Sequence, residues 1–171
     1  MHSLSHALAG LIVGILFFFN REILLRDYIL FIILSTFMDL DHIVSLFRNK
    51  SKYHLRTSIQ EPFAVFFVGI PFGYVLFWLF GDFIYFWLCI LLYIVHVGLD
   101  YLCIFEAFPL APFSTKIIKH EGQGFIFPVV SEWKERKKEF PKTIDEKYVI
   151  YVLLGILGLT ILIRYFFSPF V

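Results

Sequence analysis

Five long, largely apolar runs divide this chain of 171 residues, at about residues 4–19, 27–47, 62–80, 83–102 and 144–167. A helix needs roughly 20 apolar residues to cross a hydrocarbon core about 30 Å thick. Inside lipid no water is available to bond backbone amides, so only helices and closed barrels span it. A barrel would show shorter segments of alternating polarity, whereas these runs are continuous. The pattern predicts an all-α integral membrane protein of about five transmembrane helices, forming one helical domain over residues 1–171. Composition agrees: 59% of residues are hydrophobic and 17% charged, where a soluble domain would be about a quarter charged.

Local signals place the helix ends. Ser3 is positioned to cap the first helix, Asp27 the second and Asp82 the fourth. Gly10 and Gly14, four apart, predict close packing of the first helix against a neighbour. Pro71 predicts a kink in the third helix. Thr143 to Glu146 has the form of a capping box opening the fifth. Residues 105–143 read as an interfacial loop, with an amphipathic piece at Trp133 to Glu139. No Lys or Arg precedes the first run and no cleavage pattern follows it, so that segment is expected to be retained rather than removed as a signal peptide. Cys89 and Cys103 form no metal or disulfide pattern and read as small buried hydrophobes.

Five spans put the N-terminus, the second loop and the fourth loop on one side. Twelve of the fifteen Lys and Arg residues fall on that side; the other side has Arg21, Arg26 and Arg164. The positive-inside rule makes the richer side cytoplasmic, in the inner membrane of a cell. All six histidines fall on it too, together with Asp39, Asp41 and Asp100. An ionisable residue in a span is costly, so it is a functional-site candidate by default.

Three segments carry the chemistry. Asp39-Leu40-Asp41-His42 closes the second run with hard oxygen and borderline nitrogen donors, a set suited to zinc, manganese or iron(II). Asp39 and His42 share a helical face. Asp41 bridges a second metal or holds a ligand His; the alternative is a solvated helix end. His96 and Asp100 share a face near the end of the fourth run, and His6 does the same work at the start of the first. In the second loop, His54 serves as ligand or proton carrier, and Arg56 binds an anionic group bidentately or rests on anionic lipid.

At these residues the chain resembles the membrane-bound, metal-dependent hydrolase family of bacteria and archaea that includes a LexA-regulated inner-membrane member. The matches are His6, Asp39-Asp41-His42, His54 with Arg56, His96-Asp100 and the turn from Pro109 to Phe113, over about residues 1–115. The loop departs from the family pattern: Leu55 splits the His-Arg pair, and the second loop His is replaced, with Gln60 near its place. Metal number and turnover stay open at that point.

The resemblance and the co-location of acids and histidines together imply a metal-dependent hydrolase of an ester or phosphoester, with zinc the first candidate cofactor. His6, Asp39, Asp41, His42, His96 and Asp100 are the expected metal ligands. His54 and Asp41 are the expected catalytic groups, with Arg56 for substrate. Expected partners are membrane lipid and a small-molecule or lipid substrate, not nucleic acid. The rival readings are a metal- or proton-coupled transporter and a non-catalytic, metal-stabilised membrane protein.

Overall fold

The structure is a computed structural model that describes residues 3–39, 62–101, 129–130 and 144–168. Among these residues it is helical, with five helices. They are α1 (Ser3–Phe17), α2 (Leu25–Thr36), α3 (Val65–Phe80), α4 (Ile84–Tyr101) and α5 (Glu146–Phe167). A two-residue parallel bridge pairs Val129–Val130 with Ile144–Asp145 just before α5.

α1 packs against α2, α4 and α5; α4 also packs against α2 and α3. The core between them is apolar, built from Ile15, Phe31, Leu34, Leu76, Leu88 and Leu92. Gly10 and Gly14 are why α1 and α2 approach so closely. A Cβ at Gly10 would lie 2.3 Å from Ser35 Oγ, and one at Gly14 would lie 2.4 Å from the Phe31 ring. The spacing expectation for these two glycines therefore holds.

The helix ends differ from the sequence expectations in informative ways. The α-helical part of α2 ends at Thr36 and tightens into a 3-10 turn, Phe37–Asp39; its expected continuation to residue 47 lies outside the described residues. Ser35 Oγ and Thr36 Oγ1 both donate to the Ile32 carbonyl, at 2.9 and 2.8 Å, and such back-bonding bends helices. Asp27 caps α2 from inside its first turn rather than from the position before it, accepting the Leu24 N–H at 2.8 Å. Asp82 accepts the Ile84 N–H at 2.9 Å and caps α4 as expected.

α3 opens as a π-helical stretch, Val65–Gly69, whose last bond runs from the Ile70 N–H to the Val65 carbonyl. Pro71 has no N–H to give and its ring crowds the carbonyl four residues back, so the irregularity expected there takes the form of a widened turn just upstream of it. Cys89 is buried and its thiol contacts the Gly69 carbonyl at 3.7 Å; Cys103 lies outside the described residues.

Polar contacts tie one end of the bundle. Arg164 of α5 reaches the end of α1 and donates to the Phe18 carbonyl at 2.7 Å and the Phe19 carbonyl at 3.2 Å, and also to the Arg21 carbonyl. These oxygens belong to the turn that follows α1, where the Arg21 N–H also reaches the Phe18 carbonyl and the Ser168 hydroxyl the Phe19 carbonyl. Arg21 pairs with Asp82. Tyr85 donates to the buried Asp27 at 2.8 Å. The C-terminus of α1, the N-terminus of α2, the α3–α4 turn and the C-terminus of α5 thus share one end.

Two helices, Ile84–Tyr101 and Lys147–Phe167, are long and apolar enough to cross a membrane; Ser3–Phe17 and Val65–Phe80 are shorter apolar helices. Large apolar side chains cover the outside: Trp78 is 81% exposed and Phe167 75%.

Candidate metal centre

The opposite end of the bundle brings together four of the acids and histidines singled out in the sequence. His6 sits in the first turn of α1, Asp39 in the 3-10 turn after α2, and His96 and Asp100 one turn apart at the end of α4. His6, His96 and Asp100 are each buried. Their ligand atoms lie within 4.8 Å of one another, so this triad offers a site for a metal ion.

The contacts are close. His6 Nε2 lies 3.1 Å from Asp100 Oδ1, and His96 Nε2 lies 3.5 Å from Asp100 Oδ2. Asp39 Oδ1 is 3.7 Å from His96 Nε2. The two imidazoles stack with centroids 3.9 Å apart. Among the described residues, both ring nitrogens of His6, Nε2 of His96 and Oδ2 of Asp39 are buried without a partner in hydrogen-bond geometry. Buried polar atoms are nearly always satisfied, so four such atoms on three neighbouring side chains mark a candidate site for a further group.

A metal fits this arrangement. Bonds of about 2.0–2.1 Å at tetrahedral angles set neighbouring donors about 3.3 Å apart. Each imidazole Nε2 approaches an Asp100 oxygen at close to that spacing, 3.1 Å from His6 and 3.5 Å from His96. Imidazole nitrogens beside carboxylate oxygens are a donor set that suits a divalent transition metal.

The backbone sets the ring of His96. Its Nδ1 lies 2.6 Å from the Ser35 carbonyl. A carbonyl only accepts, so Nδ1 carries the proton and Nε2 turns its lone pair to the cluster, the usual outer support of a ligand histidine. Ser35 is in the last turn of the α-helical part of α2, where carbonyls lose their partners four residues on. Met38, buried against Ala64, Tyr93 and Val97, anchors the turn that carries Asp39.

Of the residues singled out in the sequence, the structure gathers His6, Asp39, His96 and Asp100. Asp41, His42, His54 and Arg56 lie outside the described residues, as do Gln60 and the turn from Pro109 to Phe113. Two contributors had escaped the sequence reading. Ser35 acts through its backbone oxygen, and its only trace in the sequence is a Ser-Thr pair before the acids. Arg164 was counted only as a charge; an Arg inside an apolar helix, expensive in itself, was the available sign that it had a fixed partner.

No family model, curated protein or solved structure matches the chain.

Proposed function

We propose that the protein is a multi-pass membrane hydrolase that holds a divalent metal, zinc in the first instance, between His6, His96 and Asp100, and cleaves an ester or phosphoester of a lipid or lipid-linked substrate at the cytoplasmic face of an inner membrane. The observation that carries this reading is the set of buried, unbonded donor atoms on His6, His96 and Asp39 at one end of the bundle. Three protein ligands leave a coordination position open, as catalytic sites require. Bound there, the metal would supply a water of lowered pKa, near 7, and polarise the scissile group.

The chain's own residues do the rest. Ser35 keeps His96 in the tautomer that presents Nε2. Asp39, at the edge of the triad with Oδ2 uncommitted, takes the proton from the attacking water. From the sequence pattern, His54 and Asp41 would serve in proton transfer and Arg56 would receive an anionic head group. The exposed apolar side chains of α3 and α5 support a lipid-facing exterior, since contiguous apolar surface is rare on a water-exposed protein. The charge asymmetry of the loops supports the N-terminus being cytoplasmic.

One observation favours this reading over transport. Between the two polar ends lie Ile15, Phe31, Leu34, Leu88 and Leu92, all buried. An ion path would need polar groups there.

Metal analysis of purified protein tests the reading. The wild type should carry close to one zinc, manganese or iron per chain, and the Asp39→Ala, His96→Ala double variant should carry none. A folded wild-type chain free of metal would sink the proposal.

A further inference from the structure

Beside the metal centre is a cavity of about 260 Å³ between the start of α3 and the end of α4, lined among others by Val65, Tyr93, Ile94, Val97, Gly98 and Tyr101. It is almost wholly apolar, and water is a poor occupant of such a space. Its volume falls below the roughly 300–1,000 Å³ of pockets that enclose a whole small-molecule ligand, so it suits a stretch of hydrocarbon rather than an entire molecule. Gly98 leaves it open: among the described residues, a Cβ there would meet nothing within 4 Å.

Position links the cavity to the chemistry. Val97 follows His96 and Tyr101 follows Asp100 on α4, so the cavity face and the ligand face of this helix adjoin within a single turn of about 5.4 Å. Tyr93 and Val97 also pack with Met38, the neighbour of Asp39. On its outer side the cavity is flanked by Ile94, 55% exposed, and α3 presents Phe66 and Phe67, 58% and 60% exposed, to the exterior. An apolar slot on the α4 face next to the one that carries His96 and Asp100, flanked by exposed apolar side chains, is matched in polarity and shape by an acyl chain.

We propose that this cavity holds one acyl chain of a membrane lipid whose polar end reaches the His6, His96 and Asp100 centre. This rests on the hydrolase reading and names the substrate class as an acylated membrane lipid. The probe is phosphatidylcholine carrying a diazirine midway along one acyl chain, in vesicles containing the full-length protein. After photolysis, mass spectrometry should find Tyr93 or Tyr101 labelled more heavily than the freely exposed Trp78. Labelling should fall in Gly98→Ala and be lost in Gly98→Leu, as the added side chain fills the slot; the alanine variant adds one methyl to open space and keeps the test alive if the leucine variant fails to fold.

Labelling no heavier than at Trp78, the result expected if another part of the chain fills the cavity, overturns the proposal. So does labelling that Gly98→Leu leaves unchanged, or that Gly98→Ala leaves unchanged where the leucine variant does not fold. Metal content of the same samples separates the two readings. Metal present with cavity labelling absent defeats the acyl site alone. Metal absent from wild type with labelling intact defeats the hydrolase centre alone.

Discussion

His96 is held from two directions. Its Nδ1 meets a backbone oxygen that cannot be mutated away, and its Nε2 faces acids on its own helix and on the turn after α2. The distance from α4 to Ser35 therefore decides where the lone pair points, and Gly10 holds Ser35 in place from the far side. Gly10→Ala would put a methyl 2.3 Å from Ser35 Oγ. Overpacking of this kind costs about 1–3 kcal/mol. The expected outcome is a lower thermal midpoint in detergent together with reduced metal content, while Gly98→Ala, which meets open space, lowers neither. His6, His96 and Asp100 were readable in advance because their types are costly in an apolar run and helix parity places them together. The Ser35 carbonyl was not, because every residue has one and only a tertiary distance selects it.

At the scale of elements, the joints between helices carry the specificity. Asp82 caps α4 and meets Arg21. The Ile84 N–H, and after it the Arg21 guanidinium, hold the Asp82 carboxyl below its ordinary value of 3.8. A carboxyl depressed on folding stabilises above its unfolded pKa, and that contribution is lost as pH falls through the lower folded value. Asp82→Ala should lower the unfolding free energy by about 1 kcal/mol, the worth of a cap. The gap from wild type should be constant near neutral pH and close as pH drops below 3.8. A thermal-shift series against pH checks both. Arg164→Met should cost about 1–3 kcal/mol by removing the charged donor from the Phe18, Phe19 and Arg21 carbonyls, read as an earlier denaturant midpoint with the metal content unchanged. The caps at Asp27 and Asp82 follow from short-range chemistry and were legible. The π-helical opening of α3 was legible only as trouble near Pro71, because a kink and a widened turn relieve the same clash.

For the whole molecule, polarity is arranged end to end while the apolar residues face both inward and outward. α5 illustrates this: its side chains at Tyr151, Leu162 and Phe166 are exposed although its composition is that of a core helix. In vesicles of brominated phospholipid, tryptophan fluorescence should be quenched, and Trp78→Phe should remove a large share of the quenched signal, since Trp78 is 81% exposed. Emission unaffected by bromine in the chains would place this surface elsewhere than in lipid. The number and apolar character of the helices were legible because run length reports them directly. Their mutual packing was legible only where Gly10 and Gly14 marked a close approach.

The Arg164 contact bears on what an ion does to the shape. Guanidinium on backbone oxygen, and Arg21 against Asp82, hold their end shut under any conditions that keep those charges. The far end is held by imidazole nitrogens against carboxylate oxygens, His6 and His96 on Asp100, contacts that need a proton or a cation between them. The bundle is built like tongs riveted at Phe18. A cation held as proposed between His6, His96 and Asp100 would close the tips of α1 and α4, and its removal would let them part while the rivet stays put.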